Sequence, residues 1–84
     1  MTRETVHDKL RTFLVDELGV REDLLLDDTA LMDSGLIDSI GVVTLVAFCE
    51  ESLGCSVPAD EIGADPFRSL QAITDAVVER WSKG

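Results

Sequence analysis

Few residues in this chain are placed to do chemistry, and the most suggestive lie in the stretch DSGLIDSIG, residues 33–41. Two Asp-Ser pairs stand there five residues apart, Asp33-Ser34 and Asp38-Ser39. A nucleophilic serine needs a base within hydrogen-bond reach. The single histidine, His7, falls by its spacing on the solvated side of the first predicted helix and reads as a surface residue. GLIDS is not a G-x-S-x-G nucleophile elbow. Neither a phosphate-cradling G-x-x-x-x-G-K-[ST] nor a D-x-[DN]-x-[DN]-G calcium loop occurs. Cys49 and Cys55 have no second pair or neighbouring His to make a zinc set, and are too few for a disulfide framework. They read as a buried apolar Cys and a turn Cys, both reduced. Asp27-Asp28 and Glu50-Glu51 lack the aromatics of a sugar cleft and read as solvated charge. No catalytic set and no metal site is expected.

The two serines differ in setting. Asp33-Ser34-Gly35 has the residue types of a tight bend, so Ser34 reads as a turn residue. Ser39 falls at the first position of a predicted helix, with Asp38 before it as N-cap; the Asp carboxylate can accept an orphan N–H and suits the positive end of the helix dipole. A hydroxyl at a helix N-terminus is also where a phosphate is favoured. The residues alone leave two roles for Ser39, a share in the capping and a place for a phosphate.

The elements that must position these residues are helical. Val6, Leu10, Phe13, Leu14 and Leu18 make the stripe of an amphipathic helix over residues 3–18, stopped by Gly19. Residues 20–37 lose the pattern and read as a long acidic loop. Its Leu24, Leu25, Leu26, Leu31, Met32 and Leu36 are expected to pack over the helices, and a loop of this length is expected to serve a function. The second helix begins at Asp38 or Ser39 and ends at Leu53 before Gly54. VPADEIG, residues 57–63, reads as one helical turn. Asp65-Pro66 is a cap followed by Pro at the first helical position, and predicts a last helix to about Trp81 with Phe67, Leu70, Ile73, Val77, Val78 and Trp81 inside. No segment alternates as a strand does. The expectation is an all-α bundle of three main helices plus one short helix, with a long loop between helices one and two, in a single domain spanning residues 1–84.

At about 100° per residue, Val42, Leu45, Val46, Cys49 and Leu53 share one face of the second helix, enough for a core stripe. Ile40, Val43 and Ala47 form a second apolar stripe bordered by Thr44, Glu50 and Glu51. Two readings stand: this stripe packs against the long loop, or it is a patch for a partner with a hydrophobic spot ringed by Arg or Lys.

Charge suits the second reading and equally an acidity that merely keeps a small protein soluble. The net charge is −10, and residues 22–66 hold eleven acids with no Lys or Arg. Such a field repels phosphate backbones and anionic lipid and attracts basic protein surfaces, so nucleic acid and membrane are not expected as partners. No apolar run approaches the roughly 20 residues of a membrane span and no signal-peptide core follows Met1, so a cytoplasmic protein is expected. Nothing in the sequence requires more than a monomer.

Taken in order, GLIDSIG, a helix ending FCEESLG, then VPADEI and FRSLQAI resemble the acyl carrier and peptidyl carrier protein family over essentially the whole chain. The family's Asp-Ser-Leu stands here as Asp38-Ser39-Ile40. The resemblance implies a carrier that is not itself an enzyme, with 4′-phosphopantetheine attached to Ser39 and Asp38 contributing to recognition by the transferase. A phosphopantetheinyl transferase, using Mg²⁺, would supply the arm from coenzyme A. The arm would hold a biosynthetic intermediate as a thioester. It implies partner docking through Ile40, Val43, Thr44, Ala47, Glu50 and Glu51. The partners implied are an adenylate-forming ligase or acyltransferase for loading, and ketosynthase, condensation or tailoring enzymes downstream. Where fatty-acid-synthesis members carry acids early in this helix, the chain has Gly41 and Thr44, so docking near Ser39 is expected to be less charged. DSGLIDSIG is similar to stand-alone carriers loaded by adenylate-forming ligases. These include D-alanyl carriers and free-standing carriers of polyketide or nonribosomal-type specialised metabolism, and the latter is the favoured subclass. The alternatives are a fatty-acid-synthesis or D-alanyl carrier and, from another class, an acidic helical adaptor without a prosthetic group.

Overall fold

The computed structural model describes residues 2–63 and 65–81. Three helices carry the fold: α1 (Arg3–Asp16), α2 (Ser39–Ser52) and α3 (Leu70–Ala76), the last continued by a wider π-type turn over Val77–Trp81. Single 3-10 turns lie at Glu22–Leu24, Ala59–Glu61 and Asp65–Phe67. No strand occurs among the described residues, so the all-α expectation holds.

Capping chemistry explains where the helices begin. The Thr2 hydroxyl accepts the Thr5 N–H, the Asp38 carboxylate that of Gly41, and the Ser69 hydroxyl that of Ala72, so each helix has one orphan donor satisfied by its own N-cap. α1 is a little shorter than predicted and ends at Asp16, after which Leu18 and then Gly19 (φ 70°) turn the chain. α2 ends before Gly54, which also has a positive φ of 65°, as a helix C-terminus favours.

The start of the last helix differs from expectation. Asp65-Pro66 opens a separate 3-10 turn, and α3 begins only at Leu70, capped by Ser69. The interruption is held by long-range bonds. The Leu31 N–H donates to the Arg68 carbonyl at 2.9 Å, and the Gln71 N–H to that of Asp27, also at 2.9 Å. Residue 68 thus gives its carbonyl to the loop instead of to a continuous helix, and the loop is stitched to the head of α3.

The core is built from Val6, Leu10 and Leu14 of α1, Val42, Leu45 and Cys49 of α2, and Leu70, Ile73, Val77 and Trp81 at the C-terminal end. Phe67 leans on Trp81 with ring centroids 5.5 Å apart. Leu25, Leu31 and Ile37 of the long loop enter this core, while Met32 and Leu36 pack partly against it. Leu24 and Leu26 do not; they stay 45% and 63% exposed, against the expectation that the loop leucines all pack inward. Cys55, expected as a turn residue, is buried as well, with its Sγ 3.2 Å from the Cys49 carbonyl. Burial, reinforced by Cys55, pushes the Cys49 thiol well above the ordinary range, so Cys49 does not suit thiolate chemistry.

His7 has a structural job that its helical spacing did not reveal. Its Nε2 lies 2.8 Å from the Asp27 carboxylate, and Arg11 donates to the Leu25 carbonyl at 2.8 Å, so α1 grips the returning limb of the loop. At the other end, Trp81 Nε1 donates to Glu61 at 2.9 Å, Arg80 pairs with the same carboxyl group, and Arg3 pairs with Asp75. The long loop is thus tied to α1 through Leu25 and Asp27 and to the head of α3 through Asp27 and Leu31, and it leads into residues 33–41 at the start of α2.

Candidate functional site at the head of the second helix

Residues 31–37 form the approach to α2. The Ser34 N–H donates to the Ala30 carbonyl, Gly35 (φ 81°) donates to Met32, and Ile37 donates back to Leu31, each at 3.1 Å. The Ser34 hydroxyl is bound to the Ala30 carbonyl. Ser34 therefore closes the bend, as its DSG setting predicts. The bend sends Ile37 into the core and leaves Asp38 extended (φ −115°, ψ −172°) in the N-cap position.

From there the Asp38 carboxylate accepts the Gly41 N–H at 2.9 Å, and the Asp38 carbonyl accepts that of Val42 at 3.0 Å. Ser39 is the first residue of α2 and is exposed. Its hydroxyl has no hydrogen-bond partner among the described residues. Capping belongs to Asp38, which removes the capping role from Ser39 and leaves its hydroxyl open at the positive end of a 14-residue helix. The adjacent carboxylate of Asp38 is taken up by the Gly41 N–H, His7 is engaged with Asp27, and no group of three or more potential metal ligands occurs among the described residues. The serine is therefore suited to be modified by another protein's machinery rather than to attack a substrate itself.

The predicted partner surface divides. Ile40 and Val43 are 76% and 63% exposed, and Ala47 is exposed as well, so this stripe does not pack against the loop. Thr44 is exposed with its hydroxyl turned back to the Ile40 carbonyl at 2.9 Å. Glu51 is exposed at the same end of the helix as Glu50, but Glu50 has a second task, accepting the Val57 N–H at 3.2 Å across the following turn. Gly41 lies apart from the exposed stripe. It is buried, and a Cβ there would come within 3.3 Å of Ile37 Cβ and 3.5 Å of the Asp38 carboxylate. A side chain at position 41 would thus require Ile37 to give way by a few tenths of an ångström, whereas position 44 is open and simply uncharged.

With this geometry established, likeness to known proteins is decisive. The family model described as "Phosphopantetheine attachment site" matches residues 8–77. The chain belongs to that carrier-protein family. It is 32% identical over 66 residues to the D-alanyl carrier protein of Streptococcus gordonii, covering 79% of this chain and 84% of that one. It is also 32% identical over 77 residues to an acyl carrier protein of Tropheryma whipplei, covering 92% and 88%. A solved acyl carrier protein from Enterococcus faecalis superposes with a TM-score of 0.76 over 93% of this chain and 96% of that one; at 24% identity it supports the fold. The chain is therefore a carrier and not an enzyme, its prosthetic group is 4′-phosphopantetheine, and the adaptor reading without such a group is set aside. An exposed hydroxyl without a partner at a capped helix start fits a phosphodiester, since nothing need be displaced to form it. No helix among the described residues is long and apolar enough to cross a membrane.

Proposed function

We propose that Ser39 bears the 4′-phosphopantetheine arm and that the chain works as a discrete monomeric carrier in the cytoplasm, presenting an acyl or aminoacyl unit to successive enzymes. The observation that carries this reading is the division of labour at the helix start: Asp38 caps, and Ser39 is left exposed without a partner. The arm supplies a terminal thiol on which the unit travels as a thioester. The chain's own contribution is positional. Asp38 holds the first turn rigid, and the orphan N–H groups beside Ser39 favour the charge of a phosphodiester. Exposed Ile40, Val43 and Ala47 offer an apolar spot, with Thr44, Glu50 and Glu51 on its border, to a transferase, a loading ligase or acyltransferase, and the ketosynthase, condensation or tailoring enzymes that act downstream.

The cargo subclass is read from the motif. DSGLIDSIG and the uncharged early turns of α2 favour an aminoacyl or acyl unit loaded by an adenylate-forming ligase, in polyketide or nonribosomal-type specialised metabolism. A D-alanyl carrier is the second reading, favoured by the streptococcal relatives.

The test is direct. The protein is incubated with coenzyme A, Mg²⁺ and a broad-specificity phosphopantetheinyl transferase, and its intact mass is taken. Wild type is expected to gain one phosphopantetheine and Ser39→Ala none. An unchanged wild-type mass, or equal gain by both, overturns the reading.

A further inference from the structure

Two open hollows lie beside α2 where it meets the C-terminal end of α1 and the loop before Ser39; the first shares Ile40 and Thr44 with the exposed stripe of α2, and the second lies apart from that stripe. The first, about 300 Å³, has Asp38 and Ile40, the chain neighbours of Ser39, in its wall beside Leu36, Thr44 and Glu17. The second, about 460 Å³, has Phe13 and Phe48 in its wall and is rimmed by Asp8, Asp16, Glu17 and Lys9. Glu17 belongs to both, so the hollows adjoin. The two phenylalanine rings stack across the seam between α1 and α2 with centroids 4.2 Å apart and planes inclined by 22°. Both are only partly buried, packed against the core without being sealed into it.

Distance, charge and chemistry point to the same guest. At 1.5 Å per residue, Phe48 lies about 13 Å along the helix from Ser39, less than the extended length of a pantetheine chain. Three carboxylates face one ammonium at the rim, and neither Asp16 nor Glu17 has an ion-pair partner among the described residues. A neutral acyl chain gains nothing from these acids; the ammonium of an aminoacyl group does. Apolar or aromatic side chains suit the phenylalanine faces, and a cation beside them is attracted as well. On α2, Phe48 and Val43 are about 140° apart, so a guest at the Phe13–Phe48 hollow leaves Val43 uncovered, and only the approach past Ile40 and Thr44 is shared with a protein on the exposed stripe. Resting on the assignment of the arm to Ser39, we propose that the α1–α2 seam is a binding site for the carried unit, and that the unit it fits is an aminoacyl group with an apolar or aromatic side chain.

To test this, a broad-specificity transferase loads the full chain from coenzyme A analogues bearing phenylalanyl or N-acetylphenylalanyl groups through a stable amide, and intact mass confirms loading. NMR then follows the protein. The expected result is cross-relaxation between the cargo ring and the Phe13 and Phe48 rings, with shift changes at Asp16 and Glu17. N-acetylation, or Glu17→Gln in the protein, is expected to weaken these signals about two- to fivefold, the effect of losing one exposed ion pair. Phe48→Leu should weaken them too; if that variant does not fold, Glu17→Gln, altered at an exposed site, still decides. Loaded wild type without contacts to Phe13 or Phe48, or equal contacts from the N-acetylated group, overturns the inference while leaving Ser39 as attachment point. Failure to load wild type overturns both.

Discussion

Asp33-Ser34 and Asp38-Ser39 are the same dipeptide five residues apart, and the fold uses them in opposite ways. In the first pair the serine is consumed: its hydroxyl is bound to the Ala30 carbonyl, and Gly35 turns the chain. In the second pair the aspartate takes the local hydrogen bond, to the Gly41 N–H, and the serine is left open. The residues on the C-terminal side of each pair set them apart. A glycine after the first pair bends the backbone, whereas Ile40 and Gly41 after the second continue a helix whose start needs only one cap. The difference teaches that a serine is left open less by its neighbours' identity than by which of them already satisfies the backbone.

The contrast can be broken at several points. The largest effect on stability is expected at Gly41, the close-packed residue under the cap. Gly41→Asp should destabilise by about 2 kcal/mol in urea unfolding, because its Cβ meets Ile37 and it sets a charge beside Asp38. A neutral result would mean that the cap is looser than its geometry. Next comes Asp38→Ala, with an expected loss of about 1 kcal/mol for the missing N-cap and slower modification of Ser39 in a timed intact-mass assay. The serines themselves should then separate. Ser34→Ala should cost about 0.5–1 kcal/mol for its lost bond, and Ser39→Ala should lie within about 0.5 kcal/mol of wild type. Equal losses at both would erase the distinction.

The second pair was legible in the sequence because an N-cap is local chemistry: Asp38 before a helical stripe is sufficient evidence. The loop and the head of α3 were less legible. Asp65-Pro66 has the signature of a helix start and does open a helical turn, but Arg68 gives its carbonyl to Leu31, and that bond is 37 residues long in sequence. Ser69 therefore caps the true helix, which no local pattern favours over Asp65. The same holds for His7, whose helical angle faces outward and whose partner Asp27 arrives from the loop, and for Cys55, covered only once the chain after α2 folds back. Gly41 was legible as an uncharged position but not as a buried one, since its burial is the work of Ile37.

Charge gives the smallest effect. Of the acids in the base-free middle of the sequence, Glu22, Asp23, Asp27 and Glu61 face Arg11, Arg21, His7 and Arg80 in the fold, so part of the repulsion is already offset. Asp28, Asp33, Asp60 and Glu51 have no such partner among the described residues. Raising the ionic strength from low to moderate should stabilise by about half a kcal/mol, a rise in Tm of about 2–4 °C. A fall in Tm would show that the surface pairs outweigh the repulsion.

The central claim concerns one oxygen atom, and peptide mapping reaches it directly. After transfer from coenzyme A, the peptide that contains both Ser34 and Ser39 is isolated and fragmented in the mass spectrometer. All of the phosphopantetheine should lie on the Ser39 side of the Ile37–Asp38 bond, and none on Ser34. An arm found on Ser34, or outside this peptide, would contradict the account.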